Sequence, residues 1–178
     1  MTTLFSKILS TRKTLVKIKP APEATFLAVG QEIREKVKKL FRGSLAIRVV
    51  TAGSTNACEQ ELVALGNTFY DVERFGVHFV ASPRHADMIM VTGPVTRNMK
   101  EALKRTYVAT PDPKIVVAVG DDAIDGGIFK GSYAVLDGAK AVVPVDYEIP
   151  GDPPHPMTIL SSLLAILKSV DVKQVKKY

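Results

Sequence analysis

Apolar positions along this chain recur in two periods, and the switches between them lay out its elements. Residues 31–42, QEIREKVKKLFR, put Ile33, Val37, Leu40 and Phe41 on one side of a short basic helix that Gly43 ends. Upstream, Pro20, Pro22 and Gly30 read as the punctuation of a linker. From residue 45 the pattern alternates. LAIRVVT (45–51) reads as a strand running into the turn AGSTNA (52–57), and EQELVALGN (59–67) as a helix with Leu62, Val63 and Leu65 apolar. VHFVA (77–81) and DMIMVTG (87–93) read as strands, followed by a helix over 97–107 that Thr96 can cap. Pro111 and Pro113 break the chain before KIVVAVG (114–120), the most strand-like run. DDAIDGG (121–127) reads as a loop, AKAVVPVD (139–146) as the last strand, and IPGDPPHP (149–156) as a proline-rich loop before a final apolar helix over 157–170.

Strands alternating with helices imply an α/β fold: a doubly wound, mainly parallel sheet covered on both faces. The turns at 52–58, 120–127 and 149–156 each follow an expected strand. Chain order alone therefore gathers them at the carboxyl edge of the sheet, where such folds bind ligands. Neither an internal repeat nor a low-complexity segment is visible.

Composition narrows the classes. The chain has 178 residues, 46% of them apolar, with 7% aromatics and no tryptophan, so aliphatic packing has to dominate the core. Apolar runs stay short of the roughly 18 residues a spanning helix needs, and the N-terminus lacks a secretory pattern. A cytoplasmic protein is the expectation. The single cysteine, Cys58, excludes an internal disulfide and any all-thiolate metal site made by this chain alone.

Charge is unevenly placed. Residues 1–43 hold 10 Lys/Arg against 3 Asp/Glu, residues 44–167 hold 10 against 14, and residues 168–178 hold 4 against 1. An acidic body thus carries two basic ends, and the division expected is a basic N-terminal arm and helix (1–43), an α/β domain (44–170) and a basic tail (171–178). In the arm, Phe5, Ile8 and Leu9 share a helical face among lysines. This suits an interfacial amphipathic segment touching anionic lipid, or equally a solvated tail that packs on a neighbouring subunit. The arms have almost no aromatics and no base-reading face, so nucleic acid is not an expected partner.

Other candidate chemistry is sparse. His78, His85 and His155 are dispersed without metal-ligand spacing; His78 reads as a packed strand residue, His85 as part of a turn with Arg84 and Asp87, and His155 as a neighbour of the last loop. Ser161 and Ser162 have no base near them in sequence. GDDAIDGG lacks the spacing and lysine of a phosphate-binding loop and the terminal glutamate of a calcium loop.

Five segments in order carry a resemblance: GSTNACEQE (53–61), YDVERFG (70–76), ASPRHADMIMVTGPVT (81–96), TPDPKIVVAVGDDAIDGGIF (110–129) and VPVDYEIPGDPPHP (143–156). Over Arg42–Leu167 the chain resembles the small, cluster-carrying subunit of membrane-bound nickel–iron hydrogenases and of complex I. The resemblance implies a flavodoxin-like sheet and four cysteines at the turns holding one 4Fe-4S cluster. Carried over position by position, those ligands fall on Thr55, Cys58, Asp122 and Asp152, so only one thiol remains. Cluster iron is held by soft thiolates. One carboxylate can replace a thiolate, but three losses, one to a neutral threonine, leave too weak a ligand set. No cofactor and no bound metal is therefore expected, and no catalytic residue. Asp121 and Asp125 are further candidate pocket acids. Two fates are open for the acids: a cation or proton site, or solvated and ion-paired loop carboxylates. The resemblance also implies a subunit-interface role for Arg74, Phe75 and Gly76, with a turn arginine in a surface salt bridge as the equal alternative for Arg74; Arg84 and His85, in a turn that Arg84 and Asp87 could lock, are further interface candidates.

The reading that results is a non-redox, non-catalytic subunit of a hydrogenase-related or complex I-like ion-translocating complex. It would sit peripherally on the cytoplasmic face of the membrane, between a hydrogenase-like large subunit and the membrane arm, with a ferredoxin-like subunit among its partners. Two alternatives are an electron-transfer subunit with an atypically ligated cluster, and a freestanding flavodoxin-like module that uses the acidic pocket.

Overall fold

The computed structural model describes residues 23–175. The arm's apolar face at Phe5, Ile8 and Leu9 lies outside the described residues, as do residues 176–178. Five helices and five strands follow in order: α1 (Glu23–Phe41), β1 (Leu45–Thr51), α2 (Ala57–Ala64), β2 (Val77–Phe79), β3 (Met88–Thr92), α3 (Lys100–Ala109), β4 (Ile115–Val119), α4 (Asp121–Asp125), β5 (Tyr147–Ile149) and α5 (Pro156–Val175). All strand pairs are parallel and their order is β2-β1-β3-β4-β5, the expected doubly wound arrangement.

Alternation along the strands builds two cores. Met88 and Met90 of β3 and Val117 and Val119 of β4 face one side, where Ile33 and Val37 of α1 and Ile159, Leu160 and Leu163 of α5 cover them. Ile89, Val91, Val116 and Ala118 face the other side, against Leu103 of α3. The central strands are buried on both faces, which is why they read as unbroken apolar runs.

Three expectations about elements are corrected. Gly30 does not mark a linker, because α1 runs through it from Glu23. A Cβ at residue 30 would lie 2.2 Å from the Phe75 ring, so the glycine makes room for an aromatic side chain inside the helix. Nor is 139–146 the last strand. Residues Ala139–Ala141 form a 3-10 turn whose Ala139, with Val143, is buried in the second core. Pro144 has no N–H to donate. Pairing with β4 starts at Asp146, whose N–H donates to the Val116 carbonyl and whose Oδ2 accepts from the Val116 N–H at 2.9 Å, and the strand proper is Tyr147–Ile149. Residues 121–125, expected as loop, form the short helix α4.

Candidate functional site

Three of the four carried-over positions meet at the carboxyl edge. The end of β4 is tied to the end of β5: Gly120 N–H donates to the Ile149 carbonyl, Asp121 N–H to the Gly151 carbonyl, and Gly151 N–H back to Asp121 Oδ1 at 2.9 Å. Cys58, in the first turn of α2, leans into this junction. A Cβ at residue 120 would sit 2.5 Å from its Sγ, and Gly120 has φ +90, so only glycine lets the sulfur approach there.

Electrostatics places Asp121, Asp122 and Asp152 around that sulfur. Burial pushes the Cys58 thiol up to about 11, and Glu59, Asp122, Asp152 and Asp121 reinforce the shift. Burial also raises the Asp122 carboxyl, with Asp152, Asp121, Asp125 and Glu59 acting in the same direction. Asp122 is only 5% exposed, and its Oδ1 has no hydrogen-bond partner. Asp152 is exposed.

The other carried-over positions are placed differently. Thr55 is exposed in the first turn, and no hydrogen bond joins its side chain to the other three positions among the described residues. Asp125 turns outward to Lys130 at 2.8 Å, and that hydrogen bond, with one from Gly127 N–H, lowers its pKa. Arg84 and His85 form an exposed 3-10 turn capped by Ser82. Asp87 bonds Ala46 N–H at 2.9 Å rather than locking Arg84. His155 accepts from Met157 N–H through Nδ1 at 3.2 Å and so caps the start of α5. Arg74, Phe75 and Gly76 precede β2 and thus lie at the opposite, amino edge. The Arg74 guanidinium stacks 4.8 Å from the Phe75 ring centroid and 5.3 Å from that of Phe26.

Glu59 belongs to the site without any motif to mark it in the sequence. Its carboxylate accepts from the Ser54 hydroxyl at 2.6 Å and from the hydroxyl of fully buried Thr92, tying the first turn to β3. Its one local signal is its place directly after Cys58. Glu59 and Arg48 also line a mostly apolar cavity of about 1000 Å³ between α2 and α3. Arg48 Nε is buried there without a partner.

This donor set does not fit a thiolate-held cluster. Cluster iron is held by soft thiolates, and these positions offer one thiol, Cys58, beside carboxylates and a threonine. Asp121 is committed to a backbone N–H, and Thr55 is neutral and exposed. Among the described residues no three His, Cys, Asp or Glu side chains are arranged to hold a metal ion.

The profile of the NADH ubiquinone oxidoreductase 20 kDa subunit family matches residues 56–166, more than half of the chain. The chain belongs to that family. It is 43% identical over 127 residues to the probable membrane-bound hydrogenase subunit mbhJ of Pyrococcus furiosus, covering 71% of this chain and 75% of the relative. To an NADH-quinone oxidoreductase subunit of Bacteroides thetaiotaomicron it is 47% identical over 122 residues, covering 68% of this chain and 62% of the relative. To formate hydrogenlyase subunit 7 of Escherichia coli it is 38% identical over 154 residues, covering 86% and 60%. The chain therefore spans under two thirds of the length of the latter two. Among solved structures it is similar to a chain of the membrane-bound sulfane sulfur reductase, an archaeal respiratory membrane complex, with a TM-score of 0.63 and 29% identity over 83% of this chain and 75% of that one. Similarity to a chain of an NAD+-reducing nickel–iron hydrogenase, with a TM-score of 0.55 and 20% identity over 71% and 92%, supports the fold alone. The small subunit of hydrogenase-related and complex I-like assemblies is thus the family of this chain, and the flavodoxin-like sheet is its fold.

Proposed function

We propose that this chain is a non-redox subunit of a membrane-bound, hydrogenase-related or complex I-like complex, seated where the peripheral arm meets the membrane arm. The observation that carries the reading is the state of the former ligand positions. One is a protonated thiol, one a buried carboxyl with an unpartnered oxygen, and two are exposed. Such a site has no soft ligand set through which electrons could pass, so any coupling by this subunit is mechanical or electrostatic.

A hydrogenase-like or complex I-like large subunit packs against it in this reading, with membrane-arm subunits beneath and a ferredoxin-like subunit in the same peripheral arm. Family membership supports the first two, since named relatives are subunits of membrane-bound hydrogenase and NADH-quinone oxidoreductase. The basic N-terminal arm meets the membrane arm or anionic headgroups on the cytoplasmic face. No described helix is long and apolar enough to cross a membrane, so attachment is peripheral in this reading. Affinity purification of the tagged full chain from its own cells, with mass spectrometry of what accompanies it, tests the assignment. A large subunit and membrane-arm subunits in stoichiometric amounts are expected. A stable monomer without partners would overturn it in favour of a freestanding module.

A further inference from the structure

The amino edge of the sheet, opposite the former cluster turns, holds a cavity of about 620 Å³. Arg34 and Lys38, four residues apart on α1, line one wall together with Arg42, which lies directly past the end of the helix with φ +56. Arg74 and His78 line the facing wall. None of Arg34, Lys38, Arg42 and Arg74 is ion-paired with a carboxylate among the described residues, although Glu35 and Glu73 reach the same rim. Like charges four apart, as at Arg34 and Lys38, destabilise a helix, and among the described residues no ion pair offsets these two. Arg74 is held by its stacking on Phe26 and Phe75, which leaves the edge of its guanidinium fork free to donate.

We propose that this cavity binds a phosphate group. A carboxylate has two oxygens and fits one guanidinium fork. A phosphate presents more acceptor oxygens and can bridge the basic residues of the α1 wall and Arg74 at once. The volume leaves room for whatever carries the phosphate, either the headgroup of an anionic lipid or a soluble phosphate ester. The site is independent of the cluster positions and of what they bind.

Full-length chain is titrated calorimetrically with inorganic phosphate at constant ionic strength, and sedimented with phosphatidylcholine vesicles with and without phosphatidylglycerol. Arg34→Gln/Lys38→Gln and, separately, Arg74→Gln test the cavity. Lys104→Gln/Arg105→Gln on α3 removes the same charge as the double variant from elsewhere on the surface, and melting curves confirm that each variant folds. Binding of at least one probe is expected, weakened about tenfold or more by the cavity substitutions and less than about twofold by the control. Loss on phosphate alone identifies a soluble ester, and loss on vesicles a lipid headgroup. Binding of neither probe, equal weakening in cavity and control variants, or binding indifferent to the cavity substitutions overturns the proposal. So does binding of polyglutamate without either phosphate probe.

Discussion

At the scale of single residues, Cys58 and Asp122 at the carboxyl edge bind their protons tightly. The Cys58 thiol is pushed up to about 11, so at pH 8 its thiolate fraction falls about two orders of magnitude below that of an ordinary cysteine. Iodoacetamide should alkylate it slower by a similar factor in the folded chain than in denaturant; equal rates would contradict the burial of the sulfur, which the neighbouring acids reinforce. Asp122 gives a second test. Its folded pKa is raised, so the folded state binds the proton more tightly than the unfolded state. Stability from this group is then fully present below the ordinary aspartate range and is lost as pH rises through the folded value. Asp122→Asn should therefore stabilise the chain at pH 8, by about 1–2 kcal/mol for relief of a buried, unsatisfied charge, with the difference vanishing near pH 3. Denaturant melts at both pH values measure it. That the turns holding Cys58 and Asp122 gather at one sheet edge was legible in the sequence because each follows a strand that forms where expected, whereas the strand before Asp152 is Tyr147–Ile149 and not the expected 139–146. The role of Glu59 was not legible, because its partners Ser54 and Thr92 are 5 and 33 residues away in sequence and meet only across the sheet.

At the scale of elements, local signals are reliable where one residue type implies one cause, and misleading where two causes share a signature. The runs around Met88–Thr92 and Ile115–Val119 are apolar at every position because both faces are covered, and they read as the strands they form. AKAVVPV is apolar because an irregular segment plugs the second core, and nothing local separates that from a strand. Gly30 looks like a breaker, yet its cause is the Phe75 ring, distant in sequence. Alanine is the better helix former by about 1 kcal/mol, but a Cβ at residue 30 would meet that ring at 2.2 Å. Gly30→Ala should thus destabilise by about 1–3 kcal/mol as overpacking, and Phe75→Leu in the same chain should recover part of the loss. A more stable Gly30→Ala variant would mean that the ring does not seat on α1.

At the scale of the whole molecule, the two edges of the sheet carry different clusters, with Glu35 and Glu73 the acids on the rim of the amino-edge cavity. Glu59, Asp121, Asp122 and Asp152 collect at the carboxyl edge, while Arg34, Lys38, Arg42 and Arg74 collect at the amino edge. Composition by chain segment reveals an acidic body with basic ends; which edge carries which cluster requires the parallel sheet to be assembled. This placement gives the subunit two unlike faces, suited to unlike neighbours in a layered complex. In the proposed assembly the neighbouring large subunit then either lacks its own metal-binding cysteines or passes electrons by a route that avoids this chain.

In the proposed function the positions Thr55, Cys58, Asp122 and Asp152 hold no cluster. Electron paramagnetic resonance of the reduced, purified complex, with iron and acid-labile sulfide counted per subunit, tests it most directly when wild-type and Cys58→Ala forms are compared. No cluster signal assignable to this subunit, and identical spectra and iron content in the two forms, are expected. A stoichiometric 4Fe-4S signal that disappears with Cys58→Ala would contradict the proposal.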